Sequence, residues 1–247
     1  MRRVRLGAGL VMIGVPALIL GPPAAAVARG TVGAVQRVSA ATVTTPIWAG
    51  YALAGAKGAF SSVSAAWMQP AVSCAPSQTA YSSYWVGLDG YNSHTVEQVG
   101  TEADCVRGTP SYYAWYELYP KFPVRVPLQV ASGDHIAASV AYLNGSFTLE
   151  LTDAADGATP FTVTARSPSA RRSSAEVIVE APSSNHGPFG GLPLADFGQV
   201  SFTGASANGS PLESLSPDEV IMQRGSTTLA SPEGSLSGGS FTVFWES

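Results

Sequence analysis

A chain of 247 residues in which only 12 % of side chains are charged, with a formal net charge of −4, lacks the basic surface that nucleic acid or an anionic membrane requires. Charged residues make up about a quarter of an ordinary globular domain, so few groups here change state as pH moves, and an acidic medium is tolerated. The length suits one large domain.

The N-terminus has a processing signature. Met1-Arg2-Arg3-Val4-Arg5 precedes an apolar run to about Leu20, and Pro22-Pro23 and Ala24-Ala25-Ala26-Val27-Ala28 follow. A basic start, a short apolar middle and a small-residue end predict a secretory signal peptide over residues 1–28, too short for a membrane anchor. Its removal takes away three of 13 cations and none of 17 acids, moving the net charge from −4 to −7. Residues 29–45 are small and polar with no clear apolar face, and read as a leader or short propeptide. The main domain is expected over 46–247. The two cysteines, Cys74 and Cys105, predict one disulfide in an exported chain, contributing about 3–4 kcal/mol by loop closure. Two buried thiols or a metal pair are the alternative.

From Ile47 onwards, short runs rich in Val, Thr, Tyr, Phe and Trp alternate with Gly, Pro, Asn, Asp and Ser. Strands are expected near 48–54, 61–68, 83–88, 95–101, 112–118 and 126–130. Others are expected near 135–142, 146–152, 161–165, 175–180, 198–205, 219–223 and 240–245. Leu143-Asn144-Gly145-Ser146 is the clearest hairpin signal. No segment sustains a 3.6-residue apolar period. The fold class is all-β, an antiparallel β-sandwich of two curved sheets of the jelly-roll or concanavalin-like kind. Ser183–Leu192 is the longest Gly/Pro-rich loop, either a lid or an ordinary connection.

Tyr84-Trp85-Val86-Gly87-Leu88-Asp89-Gly90, resuming at Thr95-Val96-Glu97-Gln98-Val99, reads as two neighbouring strands. Trp85 and Gln98 then stand close together, as a site or as a core residue beside a solvated one. Trp115 and Glu117 share a strand face with Tyr113 and Tyr119, and Glu176, Ile178 and Glu180 share another. An acid on a mostly apolar face is costly unless paired or protonated, and is a candidate acid or base. The alternative is a polar strand face meeting water. No phosphate loop or nucleophile elbow is present, and His94, His135 and His186 lack ligand-like spacing; no metal and no cofactor is expected.

Trp-Val-Gly-x-Asp-Gly, Gln-x-Gly, Ala-Trp-Tyr-Glu-x-Tyr-Pro, Ala-Glu-x-Ile-Val-Glu and Ala-Asp-Phe-Gly, in that order across residues 48–205, resemble the glutamic peptidases, or eqolisins. These are exported, acid-active, pepstatin-insensitive endopeptidases best known from fungi, with a β-sandwich of two curved sheets. The resemblance implies a catalytic pair of Gln98 and Glu180, with Trp85, Asp89, Trp115 and Glu117 lining or supporting the cleft. It also implies protein or peptide substrates, a secreted location and a monomer. Departures occur at Val177, Ala181 and Glu97, where the family commonly has Trp, an acid and Leu; they bear on substrate preference and pH optimum. The basic signal and Ala/Gly-rich composition look bacterial rather than fungal. The implied mechanism has ionised Glu180 taking a proton from water and Gln98 donating to the oxyanion. A jelly-roll glycosidase using Glu117 and Glu180, and a sugar-binding sandwich with Trp85 and Trp115 as platform, are the rival readings.

Overall fold

The computed structural model describes residues 41–153, 159–183 and 191–246. The first strands are β1 (Thr42–Thr45), β2 (Trp48–Ala54), β3 (Ser62–Met68) and β4 (Ser83–Leu88). Next come β5 (Val96–Val106), β6 (Thr109–Tyr119), β7 (Val124–Arg125), β8 (His135–Leu143) and β9 (Ser146–Asp153). The C-terminal part holds β10 (Phe161–Ala165), β11 (Ser174–Glu180), β12 (Gln199–Ala207), β13 (Ser210–Pro211), β14 (Asp218–Arg224), β15 (Thr227–Ser237) and β16 (Ser240–Trp245). Leu212–Leu215 forms a 3-10 turn, and the described residues contain no α-helix. No helix among them is long and apolar enough to cross a membrane.

The hydrogen-bonded order is β10-β9-β8-β3-β12-β16-β15-β14-β2-β11-β4-β5-β6-β7. This continuous ribbon doubles over, so that β4, β5 and β11 lie against β3, β8 and β9. The all-β expectation holds, and among the described strands one pair, β1 with β14, runs parallel. Alternation explains the layering: Val86 and Leu88 of β4, Val177 and Val179 of β11, and Leu149 and Leu151 of β9 all enter one core. Trp67 donates to Thr101 Oγ1 (3.2 Å), Thr101 to Gln69 Oε1 (2.6 Å), and Gln69 Nε2 to the Glu102 carbonyl (3.1 Å), a chain that satisfies these side chains between the layers.

Three expectations change. Residues 126–130 form no strand; Val126 N–H still donates to the Ala114 carbonyl (3.0 Å), but Pro127 has no N–H to continue the ladder. β15 went unforeseen because Pro232 and Gly234 break its pattern, and its pairing with β16 is irregular between Glu233 and Ser237. The end of the expected leader is a strand, β1, while residues 1–40, including the expected signal peptide, lie outside the described residues. So does most of the 183–192 loop. Cys74 and Cys105 are joined, with Cα atoms 5.5 Å apart, tying the segment before β4 to the end of β5.

Candidate active site

The unbroken register of β2, β11, β4, β5 and β6 fixes which side chains share the face opposite the core. One row runs Trp48, Glu180, Ser83, Glu102, Tyr113. The next runs Gly50, Ile178, Trp85, Gly100, Trp115 and, on β7, Arg125. The third runs Ala52, Glu176, Gly87, Gln98, Glu117. Trp85, Trp115 and Ile178, with Trp48 and Tyr113 beside them, form an apolar cluster separate from the main core. Four carboxyls therefore stand around an aromatic floor.

Trp85 links the two expected catalytic residues. Its indole Nε1 donates to Glu180 Oε2 at 2.8 Å. Its other end lies over Gly87: a Cβ there would meet Trp85 Cζ3 at 2.9 Å and Gln98 Cβ at 3.2 Å. Gln98 and Glu180 thus stand two rows apart on this face, with the Trp85 indole between them. Trp48 packs edge-on against Trp85, with centroids 5.1 Å apart.

Gln98 is buried, and its Nε2 donates to Glu117 Oε2 at 2.5 Å, which leaves Oε1 without a protein partner and one amide hydrogen unused. Burial raises the Glu117 pKa, and its bond from Gln98 works against that rise. Glu180 keeps part of its surface open to solvent. Burial of the remainder pushes its carboxyl up to about 7; Trp48 and Trp85 favour the ionised form, although the Trp48 N–H lies outside hydrogen-bond geometry, and Glu117 opposes it. Among these influences desolvation is the largest, and it favours the neutral form of Glu180.

Glu176 occupies the same row as Gln98, yet it is fully buried and not solvated, and burial raises its pKa well above the usual carboxylate range. The β4–β5 loop spans that row, since the Tyr91 hydroxyl donates to Asp218 Oδ2 (2.9 Å), and Asp218 pairs with Ala52. Of the two β11 glutamates, Glu180 is the one solvent reaches.

Asp89 supports the face from below. It is fully buried with φ 69°; Oδ2 accepts the Arg171 and Arg172 N–H groups (2.7 and 2.6 Å), and Oδ1 accepts those of Ser173 N (2.9 Å) and Ser93 Oγ (3.0 Å). It pins the β4–β5 turn to the approach to β11. Sequence reasoning placed Tyr113 on this face but missed Trp48, Ser83, Glu102, Asp104 and Arg125. Counting by twos from Gln98 would have reached Glu102 and Asp104; the others needed the strand order. Glu102 and Asp104 are both raised, chiefly by burial.

A model of the Peptidase A4 family matches residues 46–244, and the chain belongs to that family. Aspergillopepsin-2 of Aspergillus niger is 31 % identical over 166 residues, 65 % of this chain and 58 % of that protein, so the chain spans less than two thirds of that relative's length. Among solved structures, scytalido-glutamic peptidase with a transition state analog inhibitor matches at TM-score 0.69 and 25 % identity, over 81 % of this chain and 98 % of that one. Aspergilloglutamic peptidase from Aspergillus niger matches at TM-score 0.58 and 28 % identity, over 68 % and 99 % respectively.

Proposed function

We propose that this chain is a secreted, acid-active endopeptidase that hydrolyses peptide bonds with Gln98 and Glu180. The observation that carries this reading is the Trp85 bridge. A partly exposed carboxyl is held by the indole that also borders a buried glutamine, on a face built apart from the core.

The proton state of Glu180 shapes the chemistry. With its carboxyl near 7, Glu180 is neutral throughout the acid range, and a neutral carboxylic acid acts at both oxygens. Its O–H donates to the substrate carbonyl oxygen while its C=O accepts a proton from the attacking water, whose oxygen bonds to the carbonyl carbon. The product is an uncharged diol, and Glu180 is again a neutral acid. Glu180 then protonates the amide nitrogen and takes a proton from one diol hydroxyl as the C–N bond breaks, releasing an acid and an amine. Gln98 Oε1 accepts the second water hydrogen, and its unused N–H donates to the former carbonyl oxygen. Neither role of Gln98 titrates.

Denatured casein at pH 2–8, with and without pepstatin, tests the reading. Cleavage insensitive to pepstatin is expected, with kcat/KM falling as pH rises through about 7, where Glu180 ionises. Glu180→Gln and Gln98→Ala should be inactive yet folded by circular dichroism, while Glu176→Gln retains substantial activity. Near-normal turnover by Glu180→Gln would refute the assignment. Activity that instead rises through pH 7 would restore the ionised base.

A further inference from the structure

We infer that Arg125 is a specificity-determining residue that favours substrates carrying a carboxylate a few residues from the scissile bond. This rests on the peptidase reading and deepens it by naming a substrate class.

The register row through Trp85, Gly100 and Trp115 ends at Arg125 on β7, so a cation stands on a face whose other ionisable side chains are carboxyls and a phenol. The side chain is exposed, and its guanidinium lies 3.5 Å above the centroid of the Tyr113 ring. Stacking of this kind fixes a planar guanidinium and, beyond its contact with the Tyr113 hydroxyl, leaves in-plane N–H groups for a carboxylate fork. Among the described residues Arg125 makes no ion pair. The groups facing it are Tyr113 and Trp115 on β6 and the acids Glu102 and Asp104 on β5, and the next cation along the hairpin is the exposed Lys121. Both β5 acids are buried and raised, and the partly buried Glu117 and Glu180 are raised as well, so in acid this face loses its negative charges while the guanidinium keeps its own.

Distance places the subsite. β7 lies two strands from Gln98 on β5, about 10 Å away, and one row along adds about 7 Å. An extended peptide covers about 3.3 Å per residue, so after allowing for side-chain reach the recognised group lies about two to four residues from the bond cut. An Asp or Glu side chain and a peptide C-terminus offer the same carboxylate chemistry.

The test uses one neutral, C-terminally amidated peptide and variants with Glu or Gln at each position two to four residues either side of the cleaved bond. A further version has a free C-terminus. At pH 5 the wild type should cleave the Glu peptide about three- to fivefold faster in kcat/KM than its Gln isostere at one such position. At pH 3, where the substrate glutamate is largely neutral, the ratio should approach one. Arg125→Ala should abolish the ratio at pH 5 while still cleaving the neutral peptide, and Arg125→Glu should move the preference to a Lys peptide. A preference confined to the free C-terminus would assign the subsite to terminal carboxylates. Equal Glu to Gln ratios in wild type and Arg125→Ala overturn the inference and leave the peptidase reading standing. Failure to cleave any peptide overturns both.

Discussion

Trp85 does more than fill space on its strand. Its N–H favours the ionised form of Glu180 against the larger effect of burial, and its ring sets the spacing to Gln98. Trp85→Phe removes the donor and keeps most of the ring. The Glu180 pKa should rise further, so the alkaline limb of kcat/KM should move up by less than about one unit, with a loss of about tenfold in rate from looser positioning. The pH dependence of kcat/KM decides it: an unmoved limb would reduce Trp85 to packing. The Gln98–Glu117 bond is a similar arrangement, orienting an amide that cannot titrate by means of a carboxyl that can. The types of these residues were legible in the sequence, because an acid or amide beside aromatics in a strand is unusual. The order of influences on Glu180 was not, since burial depends on strands distant in sequence.

At the scale of strands, the site exists because small residues leave room at two points. Gly87 accepts the Trp85 ring, and Gly100 lies against the Tyr84 carbonyl and Trp85 Cβ. Gly100→Ala would drive a methyl into the Tyr84 backbone oxygen, which cannot swing aside; thermal melts should show a loss of about 1–3 kcal/mol. Gly87→Ala meets the buried Trp85 ring and Gln98 Cβ instead of backbone, so its melting loss should be smaller than that of Gly100→Ala, with activity lost as the indole shifts off Glu180. Equal melting losses in both variants would contradict this distinction. Most strands were legible, and β2, β4, β10 and β16 fall where alternation and turn residues put them. β5 and β6 run longer than expected, each 11 residues, because Glu102 and Asp104 look like strand breakers until their burial on the aromatic face is seen. The pairing of β11 between β2 and β4 brings the catalytic candidates together, and no local pattern announces it.

At the scale of the whole molecule, buried carboxyls tie folding stability to pH. Glu97, Glu102 and Glu176 are all buried and all raised, Glu97 to about 8, chiefly by loss of solvation. A carboxyl whose folded pKa exceeds its unfolded value holds its proton more tightly when folded. Its contribution is complete below the unfolded pKa of about 4.3 and is lost as pH rises through the folded one. The melting temperature should therefore fall between pH 5 and 8, and Glu97→Gln should flatten that fall by keeping the Ser167 contact without a charge. A wild-type melting temperature that is constant or rises over this range would contradict the account. Low charge density hinted at acid tolerance, but which acids matter depends on burial; Glu97, for one, faces the core. The parallel pairing of β1 with β14 carries a last consequence, for any trimming of the N-terminus. Ala41 N–H donates to Asp218 Oδ1 (3.0 Å), and Thr42–Thr45 lie beside Glu219–Met222, while β2 flanks Asp218–Val220. The start of the domain thus clasps a strand near its end, and that clasp sets how far an N-terminal segment can be trimmed. A cut before Ala41 leaves the seam closed, whereas a cut after Thr45 strips β14 of a partner and opens a raw sheet edge to other chains.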